Sequence, residues 1–409
     1  MKAINTNFTA LDIGSSKITI LACDLNISGE ATVGYQGMFQ SNGIKSGSII
    51  DYNGAEQSII NSIYNLEKTI DKNINSVSIS LSGAGIKSYY VYQKIRVGNA
   101  KITKDDIKKL KDSALQKFDE EEYSIIHYFP LEYVLDDSDS ISNPIGMFGN
   151  ILGCRYHVVV ANSNQISNII ECFAKCHIRV REIVASPYSS GLAVLTEDEK
   201  SLGSMLIDLG ATTTSYAIFT GNKLVYTGYI PIGSNHITSD IAEVLSIPLH
   251  TAEKLKVMYG YASYEGNNDS LISLYDIEPS KNYEFENNIS SKELNMIISA
   301  RSEEIVELIK DEYDKIGIDH LIKRRIVLTG GGSQLRGIKE IVSNNFNKAV
   351  RVGNPMTLPG FDIDHSSPSY CSAIGVVKNE MINLRKNSPF NSSARNLWEK
   401  FASLFKSNV

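Results

Sequence analysis

The sequence predicts an α/β protein in which one supersecondary unit occurs twice, giving two domains that face each other across a cleft. In this unit an apolar strand ends in aspartate, one further residue, glycine and a hydroxyl-rich turn, and a second apolar strand follows. The unit occurs at residues 8–22 and again at 205–219, and a third apolar strand at 325–328 runs into three consecutive glycines. Repetition of a whole unit at long spacing indicates a duplicated domain.

The composition agrees with a two-domain protein and argues against several other classes. The 409 residues, of which 42% are hydrophobic, can bury two cores. The net charge of −6, from 40 basic and 46 acidic residues, argues against nucleic acid as a partner. Five scattered cysteines favour a reducing compartment. We expect no signal peptide before Asp12 and no transmembrane helix, because no apolar run approaches about 18 residues.

Each repeated turn has the chemistry of a phosphate cradle. A tight turn that presents backbone N–H groups and hydroxyls to one point binds anions, and glycine lets the backbone approach closely. Asp12 and Asp208 stand at the strand ends, where a carboxylate can hold Mg²⁺ through water. An ordinary hairpin is the alternative for one such turn alone. Two facing turns would clamp a polyphosphate from both sides, with Lys17 as a point charge on it.

The remaining elements of the first half follow from the period of the apolar residues. Strands are predicted at 31–39, 75–81, 89–97, 123–135 and 152–160, and helices at 51–70, 103–118 and 163–175. The residue pattern changes between positions 84 and 162, and we interpret this segment as an inserted α+β subdomain.

In the second half, apolar periodicity predicts mainly helices. They are expected at 189–195, 237–245, 250–259, 290–316, from Gln334 after the glycines, at 338–346 and at 370–384. The polar stretch 264–288 is predicted to be a loop with short strands. An irregular linker is expected to begin at Arg385.

Together these features resemble the actin-like ATPase superfamily and, within it, the FtsA family of bacterial division proteins over nearly the whole chain. The stretches that carry the closer resemblance are 193–199, 237–242, 252–256 and 329–332. Actin and MreB insert a subdomain between the third strand and the first helix, where only residues 41–50 are available here. The FtsA family places its extra subdomain later, where residues 84–162 lie.

The resemblance implies a duplicated actin-like (ribonuclease H-like) fold, with two domains around a nucleotide cleft, the inserted subdomain and a C-terminal amphipathic helix. The implied division of the chain is 1–83 with 163–195 as the first actin-like subdomain, 84–162 as the insertion, 196–236 with 302–384 as the second, 237–301 as a small subdomain, and 385–409 as a linker with a membrane-targeting helix.

The resemblance also implies that ATP and Mg²⁺ bind in the cleft. Asp12 and Asp208 would hold the metal through water. The other nucleotide-binding residues would be Gly14, Ser15, Ser16, Lys17, Gly210, Thr213, Thr214, Glu253, Lys256, Gly331 and Gly332. Without the resemblance, Glu253 and Lys256 would be interpreted as an ordinary intrahelical pair. The chain departs from the family's usual glycines at Ala211-Thr212 and at Ser234.

No catalytic residue is identified from the sequence. The segment 184–189, which connects the two halves, contains no Glu, Asp or Gln that could orient an attacking water. We therefore expect a nucleotide that acts as a conformational ligand, with at most slow hydrolysis. A small-molecule kinase of the same superfamily would need a catalytic carboxylate and an acceptor pocket that no motif supplies. A pilus-type adaptor with the same layout is a closer alternative.

The C-terminal residues have the pattern of a membrane anchor. Residues 385–409 carry five basic residues and one acidic residue. On a helix, an arc of about 120° would hold the apolar residues Leu397, Trp398, Phe401, Leu404 and Phe405. A docked core helix is the alternative. The irregular stretch before the helix and the basic residues that flank its apolar face favour an interfacial helix on anionic lipid.

The FtsA resemblance further implies which partners the chain has and where it acts. It implies a peripheral protein at the cytoplasmic face of the inner membrane at the division septum, which polymerises with itself, tethers the tubulin-like FtsZ and recruits later division proteins. Arg301 matches a family arginine on the partner surface.

Overall fold

The computed structural model describes residues 6–118, 120–136, 138–263, 269–277, 288–362 and 367–387. A first five-stranded sheet has the order β11-β6-β1-β2-β3. Its strands are β1 (Phe8–Ile13), β2 (Lys17–Leu25), β3 (Ala31–Gln40), β6 (Ser76–Leu81) and β11 (Arg179–Ala185). Two very short strands, β4 (Ile44–Lys45) and β5 (Ser48–Ile49), pair with each other beside it.

A second five-stranded sheet repeats this order as β18-β17-β12-β13-β14. Its strands are β12 (Ser204–Leu209), β13 (Thr214–Thr220), β14 (Lys223–Ile230), β17 (Ile326–Thr329) and β18 (Val350–Val352). In both sheets the aspartate strand pairs antiparallel with the next strand and parallel with a later one. Asp12 stands opposite Ser80 in the parallel pair, and Asp208 stands opposite Thr329. The predicted duplication is confirmed at the level of strand order and register.

Helices cover the sheets and begin where the sequence supplies caps. Asp51 caps the first helix through the N–H of Asn53, and Ser290 caps the longest one through the N–H of Glu293. The helices are α1 (Tyr52–Ile70), α2 (Lys104–Gln116), α3 (Ser163–Lys175), α4 (Ser186–Val194), α5 (Glu197–Leu202), α6 (Ser234–Val244), α7 (Leu249–Tyr259), α8 (Leu274–Ile277), α9 (Ser291–Ile316), α10 (Ile338–Phe346) and α11 (Cys371–Asn387). No helix in the described ranges is long and apolar enough to cross a bilayer.

Residues 87–162 contain a separate four-stranded sheet of order β7-β10-β8-β9. Its strands are β7 (Lys87–Lys101), β8 (Tyr123–Leu135), β9 (Ser138–Ile141) and β10 (Phe148–Asn162). Helix α2 buries Leu110 and Ala114 against one face of this sheet, in a cluster with Leu152 and Tyr156. Thr103 and Asp106 form a reciprocal capping box at the start of α2.

This inserted sheet docks on the edge strand of the second five-stranded sheet. The Ser88 hydroxyl lies 2.8 Å from the carbonyl oxygen of Thr227, and the Tyr90 hydroxyl donates to that of Val225 at 2.7 Å. His157 is fully buried and donates from Nδ1 to the carbonyl of Leu224 at 2.9 Å. Burial lowers the pKa of His157 to about 4, so the ring is neutral at pH 7. The insertion therefore contacts the second half of the chain although it interrupts the first half.

Several predicted boundaries are wrong for local reasons. No α-helix begins at Gln334. Residues 331–334 form a 3₁₀ turn, and α10 begins only after Gly337, whose φ is +87°. Helix α4 begins at Ser186 rather than at Ser189, and α11 continues to Asn387 instead of ending before Arg385.

Helix α5 was not predicted, because six residues are too few to show an apolar period. Its signal is the capping box of Thr196 and Glu199. Glu199 is buried and accepts two hydrogen bonds from Arg351, at 2.8 and 2.6 Å. Helix α5 is thereby anchored to β18. In the polar stretch 264–288, the described residues contain β15 (Leu271–Ser273) and α8, and β16 (Asn288–Ser290) pairs with β15.

Candidate functional site

A cavity of about 690 Å³ lies between the two halves, and both repeated turns line it. Helix α7, the glycine turn after β17 and the 3₁₀ turn Pro368–Tyr370 complete its walls. Of the residues predicted to bind nucleotide, all but Thr214 line this cavity: Asp12, Gly14, Ser15, Ser16, Lys17, Asp208, Gly210, Thr213, Glu253, Lys256, Gly331 and Gly332.

The two turns have the same geometry. The N–H of Gly14 donates to the carbonyl of Lys17 at 3.1 Å, and the N–H of Gly210 donates to that of Thr213 at 3.0 Å. A Cβ added at either glycine would lie 2.7 Å from that same carbonyl oxygen, closer than real Cβ atoms approach. Both turns therefore require glycine for their closure.

Asp12 and Asp208 are buried carboxyl groups in the wall of the cavity. Burial raises the pKa of Asp12 to about 7, and the charge of Asp208 adds to the effect. Burial also raises the pKa of Asp208, although hydroxyl donors and Lys17 oppose this. The hydrogen bonds to Asp208 all reach Oδ2, from Ser190 at 2.7 Å and from Ser186 and Ser372 at 3.4 Å. These serines thus hydrogen-bond one carboxylate oxygen of Asp208, and the other oxygen, Oδ1, faces Gly330.

Lys17 supplies a positive charge next to these carboxylates. Its Nζ donates to the hydroxyl of Ser369 at 2.6 Å. Burial lowers the pKa of the Lys17 ammonium, while Asp12, Asp208 and Glu253 oppose that shift. The ammonium is thus held in place by a neutral partner and surrounded by charges of opposite sign.

The glycines after β17 bring the backbone close to the aspartate strand. Gly330 has φ +80°, and a Cβ there would lie 2.3 Å from Oδ1 of Asp208. A Cβ at Gly331 would lie 3.6 Å from Nζ of Lys17, so this residue also lies in the cavity. A side chain at Gly330 would occupy the space in front of Asp208.

Glu253 and Lys256 form the intrahelical pair that their spacing alone predicts, and both also line the cavity. Nζ of Lys256 lies 2.7 Å from Oε2 of Glu253 and donates to the carbonyl of Ser234 at 3.1 Å. The Thr238 hydroxyl donates to Glu253 and accepts from Lys256. Lys256 is buried, and burial lowers its pKa while Glu253 opposes the shift.

Comparison with known proteins shows the family to which the whole chain is similar. A family model described as "Cell division protein FtsA" matches residues 205–375, and one described as "SHS2 domain inserted in FTSA" matches residues 83–160. The cell division protein FtsA of Agrobacterium fabrum is 32% identical over 389 residues, which cover 90% of this chain and 86% of that protein. The chain belongs to the FtsA family.

Solved structures show the same fold at lower sequence identity. A PilM–PilN type IV pilus biogenesis complex aligns with a TM-score of 0.61 at 15% identity, covering 91% of this chain and 98% of the other. MreB5 of Spiroplasma citri bound to ADP aligns with a TM-score of 0.52 at 15% identity, covering 93% and 97%. These neighbours confirm the predicted actin-like fold.

Thr214 does not reach the cavity, contrary to the prediction. It is the first residue of β13, and its hydroxyl donates to the carbonyl of Ile232 at 2.8 Å. Side chains alternate along a strand, so Thr213 and Ser215 point the other way, toward Ser82.

Sequence reasoning predicted Ser15 and Ser16 but missed Ser82, Ser186, Ser369 and Ser372, which also line the cavity of this FtsA-family chain. Ser82 follows β6 at the position where the glycines follow β17, so the repeat itself could have indicated it. Ser186 and Ser372 lie on α4 and α11, and no local pattern in the sequence marks them.

The predicted partner residue Arg301 does not line the cavity. Arg301 on α9 forms a bidentate ion pair with Asp240, with Nη2 at 3.0 Å from Oδ1, and a further pair with Glu304. Asp240 raises the pKa of Arg301 by hydrogen bonding to its charged form. The predicted membrane residues Leu397, Trp398, Phe401, Leu404 and Phe405 lie outside the described residues.

Proposed function

We propose that the chain binds ATP with Mg²⁺ in this cavity and, as an FtsA-family division protein, polymerises at the cytoplasmic face of the inner membrane and tethers FtsZ to it. The observation that carries the nucleotide part is the symmetric pair of glycine turns, each with its aspartate, that line one cavity.

The donor set suits a polyphosphate and its metal. Backbone N–H groups and hydroxyls of both turns, with the ammonium of Lys17, are complementary to phosphate oxygens. Two carboxylates can hold a Mg²⁺ that keeps most of its water ligands. In the described residues no group of three or more His, Cys, Asp and Glu side chains could hold a metal directly, so the phosphates would supply the remaining ligands.

The cavity also has groups that suit a nucleoside. Glu253 and Lys256 would reach the ribose and base, and Gly331 and Gly332 would lie against them. The Glu253–Lys256 pair already exists, so ribose hydroxyls would join a formed hydrogen-bond group. MreB5, which has the same fold, is bound to ADP in its solved structure, and this supports a nucleotide as the ligand.

Turnover is proposed to be slow at most. Segment 184–189 contains no acid or amide side chain. Its Ser186 hydroxyl donates a hydrogen bond to Asp208. Glu253 is paired with Lys256. Neither is placed as a group that orients water for attack on a phosphate. The nucleotide would then set the conformation of the two halves.

The partner functions are proposed from the family and the sequence. We propose 84–162 as a subdomain for self-association or later division proteins, 237–301 with Arg301 as the FtsZ surface, and 385–409 as the linker and lipid-binding helix. The pilus-type alternative has the same fold, but its solved neighbour is only 15% identical.

Two experiments test the proposal. Titration calorimetry of Mg-ATP with Asp208→Ala should show weaker binding in a folded protein, and unchanged affinity would remove Asp208 from the site. Co-sedimentation with vesicles containing anionic lipid, with and without FtsZ and ATP, should show FtsZ on the vesicles only when the chain is present. FtsZ that remains in the supernatant with vesicle-bound chain would exclude the tether.

A further inference from the structure

Hydroxyl groups join the two repeated turns across the cavity. Oγ of Ser15 in the first turn lies 2.7 Å from Oγ1 of Thr212 in the second turn. The N–H of Ser46 donates to both oxygens, at 3.1 Å each. We call these three residues the hydroxyl clasp.

The clasp rests on a rigid base in the first half. Ser46 has φ +50° and the following Gly47 has φ +74°. The carbonyl of Ser46 accepts from the N–H of Ala84 at 3.0 Å, and a Cβ at Gly47 would lie 2.0 Å from the carbonyl oxygen of Ser82. The Ser46 N–H therefore has little freedom to follow Thr212 if the second turn moves.

The clasp forms part of the cavity wall. Ser15, Gly47 and Thr212 line the cavity between the turns. When one hydroxyl donates to the other, the second hydroxyl keeps a proton for an outside acceptor. A phosphate oxygen in the cavity can accept that proton while the clasp stays closed.

We propose that Thr212 is a positioning residue that ties the two phosphate-facing turns together and so slows the release of bound nucleotide. This inference rests on the proposed nucleotide site. Separation of the turns breaks the bonds of Thr212 to Ser15 and to the Ser46 N–H. The second turn otherwise keeps the hydrogen bond between Thr213 and Ser82, at 2.8 Å, and the long one from the Ser46 hydroxyl to the Thr212 carbonyl, at 3.5 Å. Loss of the Thr212 hydroxyl therefore weakens this wall without removing it.

The test compares Thr212→Val with Thr212→Ser. Valine keeps the volume and removes the hydroxyl, and serine keeps the hydroxyl and removes a methyl group. A fluorescent ATP analogue is bound to the full chain with Mg²⁺ and chased with excess ATP in a stopped-flow instrument. Loss of one to two hydrogen bonds should raise the dissociation rate about 3- to 10-fold in the valine variant. The serine variant should stay within about twofold of wild type.

Further measurements separate the clasp from its alternatives. Release of an adenosine analogue that lacks phosphates should change less than release of the triphosphate, which a general loss of stability would not produce. If Thr212→Val does not fold, Thr212→Ala removes the same hydroxyl. Wild-type release in the hydroxyl-free variant, or equally fast release from the serine variant, overturns the clasp. Failure of the wild-type chain to bind the analogue overturns the proposed nucleotide site itself.

Discussion

Replacement of Asp12 by asparagine should stabilise the nucleotide-free protein at neutral pH. Burial and the charge of Asp208 raise the pKa of Asp12 from 3.8 to about 7. At full burial such a change corresponds to about 4 kcal/mol. Water in the cavity screens part of this effect, so we expect a gain of about 1–2 kcal/mol, or about 2–5 °C in the unfolding midpoint.

The pH dependence follows from the direction of the shift. A raised carboxyl pKa means that the folded state binds its proton more tightly than the unfolded state. The stability that protonated Asp12 contributes is fully present below about pH 4 and is lost as the pH rises through 7. The advantage of Asp12→Asn should therefore grow between pH 5 and pH 7 and stay constant above.

The assay is thermal unfolding at pH 5 and pH 8, with and without Mg-ATP. Asp24→Asn, which changes an exposed carboxylate on the same sheet, is the control. Mg-ATP should stabilise wild type more than the Asp12 variant, because asparagine cannot offer a charged ligand to the metal. A lower midpoint for Asp12→Asn than for wild type at pH 8 without nucleotide, with the control unchanged, would refute the reasoning.

Three further predictions concern other parts of the chain. Glu199→Ala should lower the free energy of unfolding by about 3 kcal/mol in a urea titration, because it leaves Arg351 partly buried without its partner; Glu197→Ala, with an exposed side chain, should have little effect. Arg301→Ala should weaken FtsZ co-sedimentation while Mg-ATP affinity stays unchanged, and equal FtsZ binding would place the partner surface elsewhere. Trp398→Glu should nearly abolish flotation with anionic vesicles, whereas flotation equal to wild type would contradict an interfacial helix.

Local sequence was enough to predict the two turns and their hairpins. Gly14 and Gly210 each stand two residues after an aspartate between apolar strands, and both close the same N–H to carbonyl bond. A hairpin is a contact between neighbours in sequence, so its residues carry the whole signal. The wrong expectation for Thr214 shows the limit, because one step along a strand reverses the direction of a side chain.

The surroundings of Asp208 could not be predicted in the same way. Ser186, Ser190 and Ser372 reach it from α4 and α11, which pack together only in the folded protein. Serine is common and small, and at these positions it interrupts no apolar period. Distant elements thus supplied the hydrogen-bond donors, while the repeated motif supplied the carboxylate.

At the interface between the inserted sheet and β14, the residues of the two partners are not equally constrained in evolution. The hydroxyl of Tyr90 and the ring N–H of His157 donate to main-chain oxygens of residues 224–225, and Ser88 contacts the main chain of Thr227. Every residue type offers such a carbonyl, so side chains on β14 can drift without loss of these bonds. Replacement of Ser88, Tyr90 or His157 removes a side-chain hydrogen-bonding group that no change on β14 can restore. On the β14 side, the Lys223 side chain donates to the carbonyl of Leu131 at 2.6 Å. Chimaeras that exchange the insertion between relatives should therefore be tolerated when the incoming sheet carries these three side chains and the recipient strand keeps Lys223.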